Sequence, residues 1–146
     1  MRITGGILRG RTIRVPAGIR PTQDRVRLAL FSMLAGRIPG AQVLDLYAGS
    51  GALGLEAWSR GAASVTWVER DPRMFRILEG NVADLCGETG GAARYVRAEA
   101  LAYLEQYWGG MMDRGADTFW EVWVPANERE SPYRSHLMNS YCHAWS

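Results

Sequence analysis

At 146 residues the chain has the length of one domain, and 47% hydrophobic with 22% charged residues is an ordinary composition for a soluble globular protein. No apolar run approaches the ~18 residues of a membrane span, the first fifteen residues lack the apolar centre of a signal peptide, and Cys86 and Cys142 are too few for a disulfide framework or a zinc site. The expectation is a metal-free protein of a reducing cytoplasm.

The net charge of +2 is unevenly divided. Residues 1–37 hold eight arginines against Asp24 alone, a charge of +7, and residues 38–146 hold nine against fourteen acids, a charge of −5. All 17 basic residues are arginine, which reads as codon bias from a GC-rich genome. The plainer account of the arm is a solvated face. Its density, and the bidentate fit of guanidinium to phosphate, favour a nucleic acid partner.

Taken in order, Arg2-Ile3-Thr4 and Thr12-Ile13-Arg14-Val15 read as short strands joined by the glycine-rich Gly5–Arg11, a hairpin with Arg9 and Arg11 on its exposed loop. Arg20-Pro21-Thr22 leads into a helix, with Thr22 as N-cap and Asp24 in the first turn. Val26, Leu30, Met33 and Leu34 fall at i, i+4, i+7 and i+8, the spacing of a core-facing stripe, which leaves Arg25 and Arg27 off it. The helix ends at Gly36.

Val43-Leu44-Asp45-Leu46-Tyr47 has the composition of a buried strand, and Gly49, Gly51 and Gly54 follow as G-x-G-x-x-G. A helix over Ala52–Trp58 closes at Arg60-Gly61, and Val65–Val68 forms a second strand ending on Glu69, twenty positions after the first glycine. Such a β-α-β unit holds a nucleoside: glycines admit the ligand to the backbone, and the acid accepts from ribose hydroxyls. The bland alternative is a glycine-rich turn with a solvated glutamate. Asp45, four positions before Gly49, tilts the reading from a dinucleotide toward a methyl donor.

Pro72 suits the first helical position, and Phe75, Leu78, Val82 and Leu85 give an amphipathic helix finishing near Gly87. Ala93–Arg97 reads as a third strand, followed by Glu99 and a short helix through Leu101 and Leu104. The rhythm predicts a parallel, doubly wound α/β sheet. The text then changes. Residues 1–106 contain eighteen Ile and Leu, and residues 107–146 contain Leu137 alone. Only Phe119–Val124 resembles a strand there. The expectation is that this tail leaves the sheet incomplete, being irregular or disordered or, as the favoured account, no longer in the original reading frame.

Arg20-Pro-Thr-Gln-Asp-Arg-Val-Arg27 with Leu30-Phe31, Asp45-Leu-Tyr-Ala-Gly-Ser-Gly-Ala-Leu-Gly-Leu-Glu-Ala57 and Val68-Glu69-Arg-Asp71 resemble the RsmD family, bacterial methyltransferases acting on guanine N2 of 16S ribosomal RNA. The opening Met1-Arg2-Ile3, Gly5 and Arg9-Gly10-Arg11 match the family's N-terminal hairpin, and the resemblance covers residues 1 to about 106. It implies a Rossmann-like class I methyltransferase fold: a basic hairpin and helix over 1–40, a cofactor-binding core over 41–106 and an aberrant tail over 107–146. It implies S-adenosylmethionine held by Asp45, Ala48, Gly49, Ser50, Gly51 and Glu69, with Glu99 near the adenine. For Glu99 the rival role is that of an acid at a helix N-terminus.

On the substrate side it implies that Arg9, Arg11, Arg20, Arg25 and Arg27 contact phosphates around the target guanine, with Thr22 closing the site. The partner is 16S rRNA in the small ribosomal subunit or its assembly intermediate, and the enzyme a monomer. Leu28 stands where the family usually has glutamate, and the family's Asp-Pro-Pro-Tyr or Asp-Pro-Pro-Phe tetrapeptide is missing. Asn127, after the Phe119–Val124 run, is the nearest group by position, and no catalytic residue is assigned. Two other readings stand beside the methyltransferase: a non-catalytic remnant that still binds cofactor or RNA, and a nicotinamide-dependent oxidoreductase sharing only the glycine fingerprint.

Overall fold

The computed structural model describes residues 1–17, 24–88, 90–112 and 120–123. Helices α1 (Asp24–Met33), α2 (Ala52–Ser59), α3 (Pro72–Cys86) and α4 (Ala100–Met112) alternate with strands β1 (Gln42–Leu46), β2 (Ser64–Glu69), β3 (Ala93–Arg97) and β4 (Trp120–Trp123). All strand pairs are parallel, in the order β3-β2-β1-β4.

The central strands serve two cores at once. Val43, Val65 and Trp67 pack with Leu55 of α2 and with Leu78, Val82 and Leu85 of α3. Leu44, Leu46 and Val68 face the other way, onto Ala100, Tyr103 and Leu104 of α4. Side chains alternate across a strand, so burial on both faces requires the unbroken apolar runs seen in the sequence. α3 starts where Pro72 predicts. The Asp71 carboxylate accepts from Arg73 N and Met74 N, both at 2.9 Å, and fills the N-cap role.

The N-terminal arm pairs through a single antiparallel bridge, Arg2 with Thr12, rather than two full strands. Ile3 N donates to Arg11 O (3.0 Å) and Ile13 N to Met1 O (2.8 Å) on either side of it. Ile3 and Ile13 enter the same core as β1 and β2. The turn between them is fastened to the C-terminal end of α2. Ile7 N donates to Ser59 O (2.8 Å) and Leu8 N to Ser59 Oγ (2.9 Å), while Ser59 Oγ donates to Gly5 O (2.6 Å). Gly6 has φ 79°, and a Cβ there would stand 1.9 Å from Ser59 O, so only glycine fits.

The expected face of α1 needs correction. α1 does not turn the stripe Val26, Leu30, Met33, Leu34 to the core: Val26 is 49% and Met33 83% exposed, whereas Phe31 and Arg27 are buried and Leu30 and Leu34 half-buried. The helix is rotated because Arg27 has a buried acid to meet, described below. Within the tail, the Phe119–Val124 run that resembles a strand supplies β4. β4 lies parallel to β1, Gln42 opposite Trp120, and α4 runs to Met112, past the change in composition. Tryptophan and valine are strand formers in their own right, so the stretch pairs without Ile or Leu. The Thr22 N-cap lies outside the described residues, as does the rest of the tail.

Candidate functional site

β2 and β3 extend to one side of β1 and β4 to the other, so the chain reverses direction across the sheet at β1. In open α/β sheets ligands bind outside the carboxyl ends of the strands at such a switch point. The loop Ala48–Gly51 leaves β1 there.

Its path is set by hydrogen bonds to β2 and within the loop itself. Ala48 N donates to Val68 O (2.9 Å), and Gly51 N closes a turn on Ala48 O (2.8 Å). Gly49 and Gly51 have φ of 58° and 89°. A Cβ on Gly51 would lie 2.6 Å from Leu78 Cδ1. Gly54, inside α2, is needed for a different reason: a Cβ there would fall 2.1 Å from Trp67 Nε1. The Trp67 indole fills the space under the helix and donates from Nε1 to Gly51 O at 3.1 Å. Tyr47, the last residue before the loop, has φ 56°, a left-handed conformation rare for a bulky side chain.

Two acids frame the loop. Glu69 ends β2 and is half-buried, with Oε2 accepting from Gly49 N (2.8 Å) and Oε1 from Asp71 N (3.0 Å). A carboxylate has about four acceptor positions, so capacity remains for hydroxyls of a ligand. Asp45 lies beneath the loop, 2% exposed, its Oδ2 accepting from Gly54 N at 3.0 Å. Burial pushes its carboxyl up from 3.8 to about 7; the Gly54 hydrogen bond works against the rise and the nearby Glu69 charge adds to it.

Asp45, Ala48, Gly49, Ser50, Gly51 and Glu69 are therefore gathered at one point. The glycine cradle and a partly open carboxylate fit a nucleoside. Glu99 stands at the same edge of the sheet, where Ala98 N donates to Glu69 O (3.2 Å). Its own carboxylate caps α4, accepting from Leu101 N (3.2 Å) and Ala102 N (2.9 Å).

The arginines divide. Arg9, Arg11 and Arg25 are exposed. Arg9 and Arg11 belong to the turn held at Ser59, whereas the glycine loop is at the other end of α2, about 12 Å away for eight residues. Arg27 is not a surface contact, and this corrects the expectation for it. It is 0% exposed, donates to the Arg2 carbonyl, and has Nε 3.7 Å from Oε1 of the equally buried Glu56. Arg20, Thr22 and Asn127 lie outside the described residues.

Besides Ser59, sequence reasoning missed two buried polar groups that tie arm to core. Glu56 accepts from Thr4 N (2.6 Å) and Arg60 Nε (3.2 Å) besides facing Arg27. Asn81 accepts from Arg14 N (3.0 Å) and donates to Arg14 O (3.0 Å) and Ser50 O (2.9 Å). Each had a signal. Glu56 interrupts the apolar Ala52–Trp58 segment, and Asn81 sits between Leu78 and Val82 on the buried stripe of α3.

The architecture is the Rossmann-like α/β fold found in methyltransferase structures. The C-terminal domain of precorrin-6Y C5,15-methyltransferase from Rhodobacter capsulatus shares that fold at 24% identity and a TM-score of 0.52, over 62% of this chain and 46% of that one. A hypothetical protein of Thermus thermophilus superposes with a TM-score of 0.75 at 35% identity, over 96% of this chain and 78% of that one. The family model described as conserved hypothetical protein 95 matches residues 1–113, and the chain belongs to that family, the RsmD family. Ribosomal RNA small subunit methyltransferase D of Escherichia coli (strain K12) is 50% identical over 108 residues, 73% of this chain and 53% of that protein. The chain spans about half the length of the curated relatives it matches.

Proposed function

We propose that the chain carries the cofactor-binding part of a methyltransferase that uses S-adenosylmethionine to methylate the exocyclic N2 of a guanine in 16S ribosomal RNA. The observation that carries this is the joining of Glu69 to Gly49 N at 2.8 Å above the buried Asp45, a nucleoside cradle at the sheet's switch point. The family's named rRNA methyltransferases supply the reaction class. S-adenosylmethionine, when bound, supplies a methyl group on sulfonium sulfur for in-line displacement, a reaction governed by alignment. In this reading Glu69 takes the ribose hydroxyls and the Ala48–Gly51 backbone lines the methionine end. Asp45 holds the loop through Gly54. Glu99 offers its remaining acceptor positions to the adenine amine while capping α4.

Residues 1–40 form the RNA side. Arg25 and, beyond the described residues, Arg20 and Thr22 serve the target nucleotide. Arg9 and Arg11, a helix length from the loop, meet phosphates further along the RNA. The enzyme works as a monomer in the cytoplasm on the small subunit or its precursor. A nicotinamide-dependent oxidoreductase leaves both Asp45 and the arginine arm without a role.

Activity is a separate matter. The sequence holds no Asp-Pro-Pro-Tyr or Asp-Pro-Pro-Phe, and in related enzymes that tetrapeptide takes the amine's hydrogen bonds and stacks the flipped base. A cofactor- and RNA-binding remnant is accordingly the second reading, favoured by this one feature. Transfer of a labelled methyl group to immature 30S subunits tests the proposal. The expected result is incorporation far below that of a full-length homologue, restored when residues 107–146 are replaced by a family-like C-terminal part. Robust incorporation by the chain as it stands would assign the positioning to a tail residue such as Asn127.

A further inference from the structure

Asn81 has no part in the chemistry just described, yet it is 2% exposed. A carboxamide that deep in a core is costly unless its hydrogen bonds are made. They are made, to two segments remote in sequence. Oδ1 accepts from Arg14 N and Nδ2 donates to Arg14 O, both at 3.0 Å, so the side chain pairs with the arm as a strand would. The same Nδ2 donates to Ser50 O at 2.9 Å, between the two left-handed glycines of the cofactor loop. The amide orientation follows from these partners. Flipped, its NH2 would face the Arg14 N–H and its oxygen the carbonyls of Arg14 and Ser50. The Arg14 guanidinium adds a salt bridge to Asp84, also on α3.

We propose that Asn81 couples the two binding events of this domain: a nucleoside ligand on the glycine loop and RNA on the basic arm each favour the placement of Arg14 and Ser50 that the other needs. The inference rests on the cofactor-and-RNA reading above. Asn81 touches neither ligand. It is a positioning residue, acting through backbone groups at both ends. Coupling between sites is reciprocal, so a ligand that steadies Ser50 raises affinity at the arm by the same factor that RNA raises affinity at the loop.

The test measures binding of a 16S RNA fragment with and without saturating S-adenosylhomocysteine. Wild type is expected to bind RNA about fivefold more tightly with the nucleoside present, the lower end of ordinary allosteric coupling. In Asn81→Leu, which removes all three bonds, and Asn81→Asp, which keeps only the acceptor for Arg14 N, that factor falls to about one. A fivefold factor that survives in both variants, or its absence in wild type, overturns the proposal.

A second measurement needs neither ligand nor a substitution at Asn81. Arg14→Pro deletes the amide that Oδ1 accepts and touches no loop atom. Through Asn81 it should speed hydrogen exchange at the Gly51 amide by roughly tenfold. Unchanged exchange there refutes the link, whether or not the nucleoside binds. Failure of wild type to bind S-adenosylhomocysteine in calorimetry would instead refute the cofactor reading.

Discussion

A carboxyl group buried as Asp45 is should announce itself in the pH dependence of stability. Its folded value, about 7, exceeds the unfolded 3.8, so between these limits the native state holds a proton that the unfolded chain has released. Stability from this group is therefore present below pH 4, falls as pH rises to about 7, and is level above. At ~1.36 kcal/mol per pH unit the loss is on the order of 4 kcal/mol. Asp45→Asn keeps an acceptor for Gly54 N and removes the titration. Urea midpoints at pH 5 and pH 8 should differ for wild type by clearly more than for Asp45→Asn, and equal differences would refute the assignment. Gly54→Ala, by contrast, drives a methyl into the Trp67 indole. Overpacking of this kind costs about 1–3 kcal/mol or more, read as a lowered urea midpoint at any pH. The three glycines were legible in the sequence because backbone geometry demands them, and the two acids because each stands at a fixed offset from those glycines. Asn81 was not, because an asparagine on an apolar stripe announces burial without naming its partners.

At the scale of elements, α1 gives the clearest lesson. Periodicity located the helix correctly and misjudged its rotation, since a count of apolar positions ignores a buried guanidinium. Glu56 on α2 draws Arg27 inward, Phe31 follows on the same face, and Val26 and Met33 are left to solvent. Removing one member of a buried pair strands the other charge, so Glu56→Ala should destabilise by about 3–5 kcal/mol, and Glu56→Ala with Arg27→Met by distinctly less. Chemical denaturation of the two variants decides this, and equal losses would mean that the pair does not set the helix. Phe31→Ala should likewise cost about 3–5 kcal/mol. Met33→Gln should stay within ~0.5 kcal/mol. A large loss at Met33 would restore the stripe read from sequence. The strands, both faces buried, were the most legible elements. β4 was legible as well, lying inside the Phe119–Val124 run although its Trp-Glu-Val-Trp core carries no Ile or Leu.

For the whole molecule, chain order and sheet order together mark where the proposed site lies. β1, β2 and β3 step outward in sequence and β4 returns to the far side of β1, which opens the crevice at the end of β1 where the glycine loop lies. The arm is no separate appendage: Ile3 and Ile13 share the core of β1 and β2, Glu56 and Ser59 fasten it to the C-terminal half of α2, and Asn81 fastens it to α3. The proposed RNA side and the proposed nucleoside site thus share one hydrogen-bonded frame. The edge strand β3 shows Arg94 and Arg97 to solvent, a charged rim that discourages edge-to-edge pairing. Calorimetric titration of the protein with S-adenosylhomocysteine and, in parallel, with NAD tests the central claim most directly. Binding of S-adenosylhomocysteine and not of NAD is predicted, weakened in Glu69→Ala by about 1.5–3 kcal/mol, the range for a hydrogen bond to a charged group. Binding of NAD alone, or an affinity for S-adenosylhomocysteine indifferent to Glu69, would contradict it.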